Sequence, residues 1–123
     1  MTDLFATFRQ AMAKRERRVM RRSRRAAVLI PIIDDGAELR VLLTRRRDDL
    51  RTHQGQVAFP GGMADEGETP VETALRETHE EVGIPACLVE VQGILDDFPT
   101  LYDDLVVSPV VGRVPFVPEL VPE

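Results

Sequence analysis

Disulfide chemistry is closed to this chain: Cys87 is its one cysteine, so no internal bridge can form and nothing calls for an oxidising compartment. As a lone thiol, Cys87 reads as a small buried apolar residue. Long hydrophobic runs are missing too. None approaches the roughly 20 residues that cross a bilayer, so no membrane span is expected. The first 25 residues, "MTDLFATFRQAMAKRERRVMRRSRR", lack a secretory layout, because their charges follow the apolar residues instead of preceding them. Internal repeats and low-complexity linkers are also absent. What is left is one domain in a cytoplasmic setting. At 123 residues it can bury about two-thirds of the surface its unfolded chain exposes.

What the chain does have is charge, unevenly spread. The formal net charge is −5, yet nine of the 16 basic residues fall within the first 25 positions. Leu4, Phe5, Phe8, Met12, Val19 and Met20 give residues 4–22 a helical spacing with a narrow apolar stripe. Residues 1–25 therefore read as a basic N-terminal helix, and 26–123 as the domain proper. Such a helix could bind nucleic acid or anionic lipid. The simpler reading is a solvated face that offsets an acidic body, so nucleic acid is not expected as a partner.

The rest alternates strands with helix. "AAVLIPII" (26–33) suits a strand buried on both faces, with Pro31 marking a bulge or a locally unpaired edge. "DDG" (34–36) is a turn signal and "ELRVLLT" (38–44) resumes extended, so 26–44 reads as a hairpin. A polar loop (45–56), a short strand (57–62), a helix near 70–82 and a strand over 88–95 follow. Next come a loop (96–104) and a strand over 105–114, interrupted by Pro109 and Gly112. This is an α/β or α+β pattern. The three prolines of "VPFVPELVPE" (114–123) end the chain without a closing helix, which suggests that a C-terminal portion of the domain is absent.

The helix near 70–82 carries the chemistry. Thr69 reads as its N-cap, Pro70 as its first residue, Glu72 as the capping-box partner and Gly83 as the left-handed stop. At 100° per residue, Val71, Leu75, Thr78 and Val82 form a buried stripe, and Glu77, Glu80 and Glu81 gather on a separate arc. Three like charges at i, i+3 and i+4 destabilise a helix, more so near its negative C-terminal end. A bound cation would relieve them. An all-oxygen donor set favours a hard ion, Mg²⁺ or Mn²⁺, over zinc. Gly61 and Gly62, just upstream, let backbone approach a ligand closely. Carboxylates, cation and open backbone together point to metal-assisted chemistry on a phosphorylated substrate.

The segment resembles the Nudix hydrolase signature, G-x5-E-x7-R-E-U-x-E-E-x-G-U with U aliphatic. Gly62, Glu68, Arg76, Glu77, Glu80, Glu81, Gly83 and Ile84 match it, and Thr78 stands where an aliphatic residue is usual. Upstream, "LLTRRRDDLRTHQGQVAFPGG" (42–62) is similar to the signature of the coenzyme A pyrophosphatase branch, through Leu42, Leu43, Thr44, Arg46, Arg51, Gly55, Phe59, Pro60, Gly61 and Gly62. Arg47 replaces a small residue there, and "SPVVG" (108–112) resembles the branch's following strand.

The resemblance implies an α/β/α sandwich around a mixed sheet. It also implies hydrolysis of coenzyme A or its derivatives to 3′,5′-ADP and 4′-phosphopantetheine. Glu77, Glu80 and Glu81, with the Gly61 carbonyl, would be metal ligands. Arg76 and Glu68 would orient the glutamates, Glu77 would serve as base, and Arg46, Arg51 and Gly62 would meet the substrate. A nucleoside triphosphate-sanitising hydrolase and a non-catalytic nucleotide-binding module are the alternatives, and a homodimer is compatible with either.

Overall fold

The computed structural model describes residues 3–45, 57–100 and 104–116. Two long parallel strands form its spine: β1 (Arg24–Asp34) and β8 (Leu105–Val114) run side by side from Arg24↔Leu105 to Ile33↔Val114. Each has two short antiparallel partners laid end to end along its outer edge. Beside β1 lie β5 (Gly61–Met63) and then β2 (Leu39–Val41); beside β8 lie β7 (Phe98–Pro99) and then β6 (Glu90–Ile94). A separate ribbon pairs β3 (Thr44–Arg45) with β4 (Val57–Ala58). The result is an α/β fold with a mixed sheet.

Proline placement explains how an eleven-residue strand and a ten-residue strand can each hold one in the middle. Pro31 lies between the stretch of β1 paired with β5, which ends at Val28, and the stretch paired with β2, which begins at Ile32. Pro109 lies likewise between the β7 and β6 stretches of β8, after Val107 and before Val110. Each carbonyl accepts a bond toward that outer side, from Leu42 N–H (3.1 Å) and Leu95 N–H (2.8 Å) respectively. The missing N–H falls where the ladder changes partner, so the strand runs on. The interruption expected at Pro109 and Gly112 is thus absent: β8 is continuous.

Helix α2 (Pro70–Val82) covers one face. Ala74 packs with Ala27, Leu29 and Val110, while Val82 and Ile84 pack with Ile33 and Val114. Its buried stripe includes Thr73 and Ala74 besides Thr78 and Val82; Val71 and Leu75 are half-buried. The capping box forms as expected, with Thr69 Oγ1 accepting from Glu72 N–H at 3.2 Å and Glu72 Oε1 accepting from Thr69 N–H at 2.9 Å. Gly83 ends the helix at φ 76°. A 3-10 turn (Ala86–Leu88) leads into β6, so this strand starts at Glu90 rather than 88. The turn presents Cys87 to solvent, which corrects the reading of a buried thiol.

Helix α1 (Leu4–Lys14) packs over β6. Gly93 makes room for Phe8 and Met12, and buried Phe5 lies under the Arg113 guanidinium, 4.5 Å from its centroid. Because Gly112 faces Leu29 and Val89 on the α2 side, alternation puts Arg113 on the opposite face, which is therefore the one α1 covers. The helix expected over 4–22 stops at Lys14. From Arg15 the chain is extended, and a carboxylate pair outcompetes the helical bonds. Asp96 takes Arg18 N–H (2.9 Å) and Arg15 Nη2 (2.6 Å); buried Asp97 takes Met20 N–H (3.1 Å), Ser108 Oγ–H (2.7 Å) and the Arg17 guanidinium. Burial pushes the Asp97 carboxyl up, but Ser108, Met20 and Arg17 together hold it below the usual carboxylate range.

Candidate active site

Arg76, in the middle of α2, is where the acidic residues meet. Its Nε donates to Glu68 Oε2 at 2.7 Å and its Nη2 to Glu68 Oε1 at 3.0 Å, a two-pronged pair. Nη1 reaches Glu77 Oε1 at 2.9 Å and Glu80 Oε2 at 3.3 Å, and Nη2 also donates to the Met63 carbonyl at 3.0 Å. One guanidinium thereby joins β5, the loop after it and α2. Glu68, then Glu77, raise its already high pKa, so it is always charged.

Glu68 is fixed from several sides at once. Besides Arg76, it accepts from Asp65 N–H (2.8 Å) and Thr73 Oγ–H (2.9 Å), with Thr73 fully buried. Arg76 above all, then these donors, hold its carboxyl at a pKa of about 2. Thr73 was missed by sequence reasoning, although its place one turn after the Thr69 cap was visible.

The two glycines of "PGG" do different things. A Cβ on Gly61 would lie 2.3 Å from the Ala27 carbonyl oxygen and 2.7 Å from Val28 Cα, so this residue sits hard on the β1 backbone. A Cβ on Gly62 would lie 2.5 Å from Glu77 Cδ and 2.7 Å from its Oε2. Gly62 is therefore a cradle for the Glu77 carboxylate. Glu77 is half-buried there, Glu80 is exposed and Glu81 is half-buried.

Among the described residues, no three His, Cys, Asp or Glu side chains gather closely enough to cage a cation. Glu68, Glu77 and Glu80 are instead gathered round Arg76. The donor set still suits a hard divalent ion: it is all oxygen, it shares one stretch of helix, and Gly62, having no Cβ, lets the Glu77 carboxylate sit against the backbone. Arg46, Arg51 and His53 lie outside the described residues.

The basic N-terminal segment is largely committed to internal contacts. Arg9 approaches Glu90 (3.8 Å), Arg15 and Arg17 pair with Asp96 and Asp97, and Arg22 approaches Asp104 (3.5 Å). No helix among the described residues is long and apolar enough to cross a membrane.

Residues 23–114 match the NUDIX domain. Nudix hydrolase 3 of Caenorhabditis elegans is 48% identical over 88 residues, 72% of this chain and 37% of that protein. The uncharacterized Nudix hydrolase NudL of Yersinia pestis is 54% identical over 94 residues, 76% of this chain and 46% of that one. The chain thus spans less than half the length of these relatives. Among solved structures, a Nudix hydrolase from M. smegmatis, RenU, superposes with TM-score 0.67 at 26% identity, covering 80% of this chain and 63% of that one. A C. elegans Ap4A hydrolase complex gives TM-score 0.66 at 19% identity over 80% and 71%. With the carboxylate helix, its glycine cradle and this match over most of its length, the chain belongs to the Nudix family.

Proposed function

We propose that the chain is the Nudix portion of a metal-dependent pyrophosphohydrolase that cleaves the diphosphate of coenzyme A, or of a derivative, into 3′,5′-ADP and 4′-phosphopantetheine. The observation that carries the hydrolase reading is the Glu77 carboxylate seated against Gly62, with Arg76 bonding Glu77, Glu80 and Glu68 together. The coenzyme A assignment rests on the 42–62 motif.

Divalent ions serve Nudix hydrolases generally, and in this chain Glu77, Glu80 and Glu81, with the Gly61 carbonyl, would hold Mg²⁺ or Mn²⁺. When bound, the ion offsets charge on the phosphoryl oxygens and acidifies the attacking water. Glu77 takes the proton of the water whose oxygen bonds to phosphorus as the P–O–P bridge breaks, and the other phosphate leaves with the bridging oxygen. Arg76 and Glu68 fix the glutamates in place beforehand. Arg46 and Arg51 would meet the substrate phosphates, because planar guanidinium groups match phosphate oxygens in pairs.

A hydrolysis screen with Mg²⁺ or Mn²⁺ over coenzyme A, ADP-ribose, NADH and 8-oxo-dGTP, with products identified by mass, tests the reading. Coenzyme A is expected to turn over fastest, and Glu81→Gln to lose metal-dependent turnover while keeping its fold. A preference for 8-oxo-dGTP would point to a triphosphate-sanitising enzyme instead. An unchanged rate for Glu81→Gln at saturating Mg²⁺ would remove Glu81 from the metal site.

A further inference from the structure

We propose that Arg25, on the second residue of β1, is a positioning residue for the carboxylate centre: it clamps both ends of the loop 64–68 and so fixes the stage on which Glu68 holds Arg76. This rests on the hydrolase reading above, although neither the signature nor the 42–62 motif includes Arg25.

The loop leaves β5 at Met63 and must deliver Glu68 to Arg76 one residue before the Thr69 cap. It closes on itself through Glu68 N–H to the Asp65 carbonyl (3.1 Å) and Asp65 N–H to Glu68 Oε1 (2.8 Å), with Gly67 at φ 82°. A closed turn is still free to pivot about its ends. On the α2 side, Arg76 and Thr73 hold the Glu68 carboxylate. On the β1 side, one residue provides two holds. The Arg25 carbonyl accepts from Ala64 N–H at 2.9 Å, and the Arg25 guanidinium donates through Nη2 to the Glu68 carbonyl at 2.8 Å. The first and last residues of the loop are therefore tied to the same residue of the sheet.

The geometry also explains why an arginine suits this place. A cleft of about 420 Å³ lies between the start of β1 and the loop, lined by Ser23, Arg24, Arg25, Met63, Asp65 and Glu68 among others. Strand and loop meet at Ala64, whose N–H bonds the Arg25 carbonyl, and the loop's other end, at Glu68, is reached by a long side chain. The Arg25 side chain reaches from β1 to the far end of the loop, donating to the Glu68 carbonyl at 2.8 Å.

The test uses the full chain and two substitutions, Arg25→Met and Arg25→Lys. Methionine keeps the length and loses every donor; lysine keeps a charge and can reach one carbonyl. Amide exchange at Asp65 and Glu68 is measured by NMR without metal, with Leu29 and Val110 amides as the check on global folding. Mn²⁺ affinity is measured by electron paramagnetic resonance. Arg25→Met is expected to speed exchange at the two loop amides and weaken Mn²⁺ binding, each about fivefold to tenfold, the worth of one hydrogen bond. The core amides should stay unchanged, and Arg25→Lys should recover part of both losses. Unchanged loop exchange overturns the proposal, and so does faster exchange with unaltered Mn²⁺ affinity, which would leave Arg25 a loop anchor with no bearing on the site. If the unsubstituted chain takes up no Mn²⁺, the hydrolase reading falls and this inference with it; if it binds and Arg25→Met binds equally well, only this inference falls.

Discussion

One methyl group, placed on either of two adjacent glycines, separates the structural from the chemical role of "PGG". At Gly61 the added carbon meets fixed atoms: the Ala27 carbonyl oxygen at 2.3 Å and Val28 Cα at 2.7 Å, both backbone of the central strand. Neither can give way without disturbing the ladder on both sides of β1. Overpacking against backbone costs about 3 kcal/mol, a large part of the ~5–15 kcal/mol that holds a domain together. At roughly 4 °C per kcal/mol, Gly61→Ala should lower Tm by about 10 °C. At Gly62 the same carbon meets the far end of a flexible side chain, Glu77 Cδ at 2.5 Å with its oxygens at 2.7 and 2.9 Å. The carboxylate swings away and its 2.9 Å bond from Arg76 is lost, while Arg76 keeps its pair with Glu68. That loss is worth about 1 kcal/mol, so Tm should fall by only a few degrees. Displacing a positioned group by about 1 Å, however, costs on the order of 100-fold in rate. Thermal melts followed by circular dichroism, together with Mn²⁺ titration and turnover of coenzyme A, read both axes. Gly61→Ala is expected to be unstable, and Gly62→Ala folded but weak in metal binding and slow. A Gly62→Ala protein with unaltered Mn²⁺ affinity would refute the cradle, and a Gly61→Ala protein melting at the original temperature would refute the backbone contact.

Three further outcomes follow from single groups. Thr78 is fully buried and its hydroxyl has no hydrogen-bond partner among the described residues, so Thr78→Val should stabilise by about 1 kcal/mol and raise Tm by a few degrees; a fall in Tm would show that the hydroxyl has a partner in solution. Asp97→Ala leaves Arg17, Met20 N–H and Ser108 without their shared acceptor and should cost about 3 kcal/mol, with faster tryptic cleavage at Arg18, Arg21 and Arg22 as the extended arm lifts; unchanged cleavage would mean that the arm is held elsewhere. Glu68 has a carboxyl pKa lowered from 4.5 to about 2, so as the pH falls the unfolded chain takes up the proton first; its contribution to stability is fully present above about 4.5 and is lost as the pH drops from there toward 2. An NMR titration of the Glu68 carboxyl with its midpoint near 4.5 would contradict the Arg76 clamp.

Local features were legible in the sequence because local physics sets them. The α2 cap, its proline start and its glycine stop depend on neighbours within four residues, and all three stand where the spacing placed them. The β1–β2 hairpin formed around "DDG" for the same reason, with Ile32 opposite Val41. Pairings distant in sequence were not legible. The apolar stripe of residues 4–22 continued past Lys14 on paper, but nothing in that stretch showed that Asp96 and Asp97, some 80 positions on, would draw Arg15, Arg17 and Met20 into an extended strap. Pro109 reads as a break because proline cannot donate to a ladder, whereas β8 changes partner at that residue.

The carboxylate centre combines both kinds of information. Helical spacing puts Glu77, Glu80 and Glu81 on one arc, where like charges call for something to relieve their mutual repulsion. Spacing is silent on what relieves it at rest. Arg76 is a helical neighbour of Glu77 and Glu80, but its tie to Glu68 depends on where a loop of five residues returns to the helix, and that is decided by β5 and by the start of β1. The repulsion that argued for a cation is thus already partly met by a guanidinium. It follows that a divalent ion at Glu77 and Glu80 must compete with Arg76 for their oxygens, and its affinity should rise when Arg76 is drawn more firmly toward Glu68. On the proposed metal site, loop 64–68 would therefore set the strength of metal binding, although it supplies none of Glu77, Glu80 and Glu81.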